Sequence, residues 1–349
     1  MFTKYLDKFG FPLKPTPDNK ISIKFEKKIY LFSKFMRKFD VCCKLPSFDF
    51  IDRYYHDSFL EKFYYNQIST FTFFKIFKFR INLRKFIKYF NIFFKNKKIN
   101  LKKKDLVLFG PYSNSYHHVL YEFLLRLIYL KKINFKSQIW LPDNLKIYVN
   151  SRAYKNIFGK LKLRFFNTKK NLLFENCNYL THANTRWIIK NKKKTISAEF
   201  LKLIKLFRKT LFNKNKFSKN RKYEYIIVSR TSSLRRKLIN ELDLYKTLKK
   251  YKFELIYFEN YSFHEQINIA RNCKVMIGYH GGGLSNILFM NSKNYLIEIL
   301  NKNYDHKLYA HISRSLGLKY KNFLCEKSLK NLDGFCDIDE IERFIKKII

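Results

Sequence analysis

A chain of 349 residues with 46% hydrophobic content is long enough for two ordinary domains and a sizeable core, which excludes a disordered polymer. Its 72 lysines and arginines stand against 27 acids, a formal net charge of +45 that draws polyanions at low salt. The lysines are spread over the whole length, as an AT-rich genome would produce, so no dedicated patch and no specific nucleic-acid partner is expected. Six cysteines (Cys42, Cys43, Cys177, Cys273, Cys325, Cys336) show no C-x-x-C spacing. That argues against a zinc or thioredoxin-type site and for reduced thiols in the cytoplasm. Lys4, Asp7 and Lys8 interrupt the first ten residues, which do not read as a signal peptide. No run of about 18 apolar residues occurs, so membrane contact would be peripheral, at an anionic inner face.

In chain order, residues 1–45 are basic, carry three early prolines and read as an irregular lead-in. From 59 to 104 aromatics alternate with lysines; part of this reads as strand, and 85–95 reads first as an element of the folded domain and second as an amphipathic helix for an anionic bilayer. Residues 105–109 predict a buried strand and 119–130 a helix. His118, Glu122 and Arg126 fall at i, i+4 and i+8, on one face of that helix. Strands follow at 138–142 and 161–166, with helices at 151–158 and 197–212. The polar, basic run 213–222 is the best linker candidate.

After it come a strand at 223–228, a helix at 240–251 and a strand at 253–257. Ser262-Phe-His-Glu265 is a capping box that opens a helix to about Asn272. Strands at 275–278 and 295–299 flank a glycine turn and a helix from Leu284, and Asp337-x-Asp339 caps a last helix rather than binding metal. Alternating strands and helices on both sides of the linker predict two α/β domains with parallel sheets. Their expected extents are 105–215 and 222–349, with 1–104 a basic aromatic region belonging to the first half.

The turn His280-Gly281-Gly282-Gly283-Leu284 joins a strand to a helix start, a combination that builds an anion site. It is neither a G-x-G-x-x-G fingerprint nor a P-loop. It is similar to an esterase oxyanion motif, but none of the nine glycines supplies a G-x-S-x-G nucleophile. A phosphate cradle with His280 as an added donor remains. Arg230 ends a strand, and Arg235 and Arg236 follow, where ligands of parallel sheets bind. Glu298 lies in the apolar run 296–300 and needs a partner, a sugar hydroxyl or a lysine. His118 with Glu122 is either a base with its orienting carboxylate or a structural hydrogen bond.

Several of these blocks together resemble glycosyltransferase family 61. They are Ser262-Phe-His-Glu-Gln266, then Val275-Met-Ile-Gly-Tyr-His280-Gly-Gly-Gly-Leu-Ser-Asn286-Ile-Leu-Phe-Met290, then Leu296-Ile-Glu298-Ile. Val228-Ser-Arg230 with Arg236 and Asn240-Glu241, and His118-x-x-x-Glu122-x-x-x-Arg126, agree with two further blocks. Gly282 stands where the family usually has alanine, Val119 where an aromatic is usual, and Leu125 where proline is common. The resemblance implies a GT-B-like fold, two Rossmann-like domains facing a cleft. It implies inverting transfer from a nucleotide-sugar, usually UDP-linked, to a glycan or glycoconjugate acceptor in surface polysaccharide assembly, without a metal ion or other cofactor. On this reading Arg230, Arg236, His280, Gly281, Gly282, Gly283, Leu284, Asn286 and Glu298 form the donor site, and His118 is the base oriented by Glu122. The alternative is a polyanion- or membrane-surface-binding protein with a degenerate transferase core.

Overall fold

The computed structural model describes residues 23–31, 42–44, 49–50, 97–102, 104–108, 115–167, 172–180, 187–190, 193–196, 198–233, 235–303, 308–325, 327–328 and 332–349. The chain forms two compact units, Met1–Asn150 with Phe158–Leu203, and Ser151–Ile157 with Ile204–Ile349. The amphipathic segment expected at 85–95 lies outside the described residues.

In the first unit eight strands form one mixed sheet. They are β1 (Ile23–Leu31), β2 (Cys42–Lys44), β3 (Asp49–Phe50), β4 (Lys97–Asn100), β5 (Leu106–Val107), β6 (Ile139–Pro142), β7 (Leu163–Phe166) and β8 (Leu172–Leu180). Their order is β3-β2-β1-β8-β5-β6-β7, with β4 also beside β8. The pairs β8–β5, β5–β6 and β6–β7 are parallel, whereas β1 runs antiparallel to β8. The expectation of an irregular lead-in is therefore corrected: a nine-residue strand, β1, pairs from Ile23↔Leu180 to Leu31↔Leu172. Its alternation of apolar and charged residues (Ile-Lys-Phe-Glu-Lys-Lys-Ile-Tyr-Leu) is a strand signal that the prolines before it obscured. Leu106, Val107, Leu108, Ile139 and Leu141 are fully buried, which is why these strands read as continuous apolar runs. Helix α1 spans 116–132 and opens with an α-turn at Tyr116–His118. A π-helical stretch, Val119–Leu124, follows, and Leu125–Lys132 is α-helical. Seven of its apolar side chains (Val119, Leu120, Phe123, Leu124, Leu127, Ile128, Leu130) are at most 1% exposed, so burial rather than propensity holds this helix. A hairpin of β9 (Trp187–Lys190) and β10 (Lys193–Ile196) completes the unit's strands. Helices α2 (Arg152–Phe158) and α3 (Ala198–Lys214) follow the predicted spans closely. The basic run expected as a linker begins inside α3 and ends in a 3-10 turn at Arg221–Tyr223.

The second unit carries a five-stranded, wholly parallel sheet. Its strands are β11 (Tyr225–Val228), β12 (Glu254–Ile256), β13 (Val275–Tyr279), β14 (Tyr295–Leu300) and β15 (Lys319–Leu324). They lie in the order β12-β11-β13-β14-β15. On one face Ile227, Ile277, Ile297 and Ile299 pack with Leu244 and Leu248 of α4 (Glu241–Leu248) and with Ile341 and Ile345 of α7 (Ile338–Ile348). Between β12 and β13 runs α5 (Phe263–Asn272), and between β14 and β15 runs α6 (Leu308–Ser315). The capping box holds as predicted: the Ser262 side chain accepts from Glu265 N, and the Glu265 carboxylate accepts from Ser262 N. Asp337 also caps as expected, accepting from Glu340 N at 2.7 Å. The elements α6 and β15 were not predicted. A short pair, β16 (Lys327–Ser328) and β17 (Gly334–Phe335), precedes α7.

Candidate active site

Counted within the second unit, the strand order is 2-1-3-4-5. In such a sheet the chain leaves in opposite directions from the first and third strands, and a crevice opens past their carboxyl ends. Here those strands are β11 and β13. Arg230 lies two residues past β11, and His280 with the glycine turn follows β13 directly. The two candidates nominated separately by sequence are thus brought together by topology.

The register explains the glycines. Val228, Gly278 and Glu298 stand side by side on adjacent strands. A Cβ at Gly278 would come 2.9 Å from Leu284 Cδ2, so the strand leaves room there for the segment that follows the turn. At Gly281 a Cβ would lie 1.5 Å from Arg230 Nη1. The guanidinium therefore rests directly on the turn, and only glycine permits that approach. Gly283 would meet Val228 Cγ1 at 2.7 Å, whereas a Cβ at Gly282 meets nothing within 4 Å. The segment after the turn, Gly282–Phe289, is a 3-10 helix rather than the expected α-helix from Leu284. Its first return bond runs from Leu284 N to Gly281 O at 3.1 Å. The N–H groups of Gly282 and Gly283 precede that bond and have no acceptor within the helix.

Arg230 is half spent on its own loop. Its Nε donates to Arg236 O at 3.0 Å, and Nη2 donates to Ser233 Oγ at 2.8 Å and Arg235 O at 3.3 Å. Burial first, then Arg236, pulls its pKa down to about 10. Arg236 adopts a left-handed backbone conformation, φ 59°, which turns its carbonyl onto Arg230. Glu241 anchors the loop start, accepting from Ser229 Oγ at 2.5 Å and Arg230 N at 3.1 Å.

His280 and Glu298 form a buried pair, with Nδ1 2.5 Å from Oε1 and exposures of 5% and 0%. Tyr320 of β15 donates to Glu298 Oε2 at 2.6 Å. The protein partners of Glu298 are therefore an imidazole and a phenol rather than a lysine. Burial pushes the carboxyl up to about 8, with the Tyr320 hydrogen bond opposing. Burial, then Arg236 and Arg230, pulls the imidazole down to about 3. Both shifts favour an uncharged pair. Tyr309 of α6 lies beside the His280 ring and donates to Gly281 O at 2.7 Å, while Ser285 Oγ lies 2.9 Å from its hydroxyl. The two tyrosines escaped the sequence analysis because the polar alternation of 319–324 and the amphipathic period of 308–315 were not read as elements.

Two of the expected donor residues make structural contacts within the turn. Leu284 is fully buried against Gly278. Asn286, fully buried, donates to Gly283 O at 3.2 Å and to Gln266 Oε1 at 3.5 Å, tying the turn to α5. In the first unit His118 Nδ1 lies 2.8 Å from Glu122 Oε1. Glu122 is fully buried, whereas the His118 side chain is 20% exposed. Arg126 donates from Nε to Glu122 O at 3.2 Å and from Nη1 to Leu180 O at 3.5 Å. A buried carboxylate orienting a partly exposed imidazole, on a π-turn, is a geometry fit for a base.

The family model described as Glycosyltransferase 61 matches residues 116–297, just over half of the chain. The chain belongs to glycosyltransferase family 61. The match contains His118, Glu122, Arg230, Arg236 and the whole glycine turn, and stops one residue before Glu298. This family 61 member is also similar to the EGF domain-specific O-linked N-acetylglucosamine transferase of Drosophila melanogaster. They are 31% identical over 91 residues, 25% of this chain and 17% of that protein. The protein of the same description from Gallus gallus is 29% identical over 107 residues, 29% of this chain and 20% of that protein. The matched stretches thus span a fifth or less of those relatives. Among the described residues, no helix is long and apolar enough to cross a membrane, and no group of three or more His, Cys, Asp or Glu is placed to hold a metal ion.

Proposed function

We propose that this chain is an inverting glycosyltransferase of GT-B type, built from two Rossmann-like domains. It moves a sugar from a nucleotide-sugar, UDP-linked, to a hydroxyl of a glycan or glycoconjugate. The observation that carries the reading is the meeting of Arg230 and the His280 glycine turn past the carboxyl ends of β11 and β13, where parallel sheets bind phosphates. The two relatives are described as N-acetylglucosamine transferases, so N-acetylglucosamine is the first sugar to try.

In the mechanism His118, oriented by Glu122, takes the proton of the acceptor hydroxyl. The freed oxygen attacks the anomeric carbon, and the bond to the diphosphate oxygen breaks with inversion. The departing diphosphate gains charge, which Arg230 Nη1 and the N–H groups of Gly282 and Gly283 stabilise. These fixed donors are the reason to expect turnover without a metal ion. The same reading places the enzyme in the cytoplasm, working on surface polysaccharide or glycoconjugate precursors, in peripheral contact with the inner membrane face. A thermal-shift series with UDP-, GDP- and CMP-sugars tests the donor, since a bound ligand raises stability by mass action. A UDP-sugar should raise the melting temperature and be turned over in the presence of EDTA. No shift with any nucleotide would overturn the donor site, and loss of turnover with EDTA would overturn the metal-free scheme.

A further inference from the structure

We propose that Tyr320, Glu298 and His280 form a directed hydrogen-bond relay that keeps hydrogen on His280 Nε2 as a donor to the diphosphate, with Tyr320 as its positioning residue. The proposal rests on the donor-site reading above. The family match contains His280 but ends at residue 297, before Glu298 and Tyr320.

The direction of the chain follows from its members. Tyr320 O–H donates to Glu298 Oε2. Glu298 Oε1 and His280 Nδ1 are 2.5 Å apart, so one proton lies between them. Burial disfavours a separated carboxylate and imidazolium, and Arg236 and Arg230 disfavour the imidazolium further. The proton therefore sits on the carboxyl, Nδ1 accepts, and the neutral ring carries its hydrogen on Nε2. Among the described residues, the groups facing the pair include Arg230 and Arg236 from the loop after β11, Tyr309 from α6, and Tyr320 from β15. As the leaving diphosphate gains charge, the Glu298 proton passes to Nδ1. An imidazolium and a carboxylate result, the latter still held by Tyr320. Net charge is unchanged and no proton is exchanged with water.

A pH dependence follows. The Glu298 carboxyl, raised to about 8, loses its proton above that point. Hydrogen then moves to Nδ1 to meet the carboxylate, and Nε2 turns a lone pair toward an anion. UDP affinity should fall as pH rises through this window. The diphosphate is already fully ionised there, with a last phosphate pKa of about 6, and Arg230, at about 10, stays mostly charged to about pH 9.

The test is UDP binding by the full chain, measured by calorimetry from about pH 6.5 to about pH 9.5. Affinity should be level at first and then drop by up to about tenfold per pH unit. Tyr320→Phe removes the donor that steadies the carboxylate, so its midpoint should move to higher pH with affinity below it within about twofold. Glu298→Gln keeps an N–H toward Nδ1 at every pH and should flatten the profile. Nitrogen-15 shifts of His280 in the unaltered chain should show hydrogen on Nε2 near neutral pH. If UDP binds but both variants keep the original midpoint, or Tyr320→Phe weakens binding equally at every pH, the relay is overturned while the donor site stands. Hydrogen found on Nδ1 near neutral pH overturns it as well, even where a variant does not fold. If the unaltered chain binds neither UDP, GDP, CDP nor pyrophosphate, the donor-site reading itself fails.

Discussion

Gly282 and Gly283 are neighbours in the chain, but a methyl group added to each meets different surroundings. At Gly282 it meets open space, so Gly282→Ala should keep or raise the melting temperature, by up to about 1 kcal/mol in stability, through a stiffer unfolded chain. This is also the position where the family usually has alanine. At Gly283 the methyl would press on Val228 Cγ1, and Gly283→Ala should cost about 1–3 kcal/mol in a denaturant titration. Gly281→Ala displaces Arg230 rather than core, so it should weaken UDP binding more than folding. Equal effects at all three positions would contradict this ranking. Arg230→Ala should lose about 1.5–3 kcal/mol of UDP affinity, the range of a hydrogen bond to a charged group. Unchanged affinity would remove Arg230 from the site. At this scale sequence nominated the positions but not the bonds each one makes: Leu284 packs on Gly278, Asn286 ties the turn to Gln266, and Arg230 staples its own loop, because those bonds depend on the folded path of the chain.

At the scale of elements, the last six residues of the 3-10 segment Gly282–Phe289 are fully buried, the polar Ser285 and Asn286 among them. Its exit is held by Arg208 of α3, which donates from Nη1 to Leu288 O and from Nη2 to Met290 O at 2.8 Å. Arg208→Met would leave two carbonyls without that donor and should cost about 1–3 kcal/mol, read as a lower denaturation midpoint. A neutral result would mean that another donor replaces it. The π-stretch in α1 plays a comparable part for His118. His118→Ala should abolish transfer while leaving the UDP-induced thermal shift intact; retained transfer would remove His118 as the base. The capping box of α5 was plain in sequence because all its parts lie within four residues. Neither the π-stretch nor the 3-10 turn was, because both depend on how the chain is packed rather than on its apolar period.

For the molecule as a whole, the charge of +45 acts through the solvent rather than through any one residue. Sequence-independent binding to DNA is expected, weakening by orders of magnitude between about 50 and 200 mM salt. The UDP-induced thermal shift should survive the same salt. Salt-resistant, sequence-selective DNA binding would contradict the reading of the charge as a dispersed compositional feature. The fold class was legible because parallel strands buried on both faces leave near-continuous apolar runs: β11 and β13 are such runs, and β14 is broken only by Glu298. Strand β8 and the edge strand β15 were not legible, since polar residues (Glu175, Asn176 and Asn178 in β8, Lys319, Lys321 and Asn322 in β15) interrupt their apolar side chains.

By itself, then, the sequence determined the alternation of strands and helices, the glycine turn with His280 at its lip, the α5 cap and the family. These are local patterns, set by backbone sterics and by periods of two and 3.6 residues. Only the tertiary structure decided that Arg230 rests on Gly281 and that Glu298 takes His280 and Tyr320 as partners. It alone decided that β11 and β13 lie side by side, so that Arg230 and the glycine turn leave the same edge of the sheet. Those outcomes depend on strand order and register, which bring together residues more than 50 positions apart, such as Arg230 and Gly281. A one-dimensional pattern carries no record of which strands become neighbours.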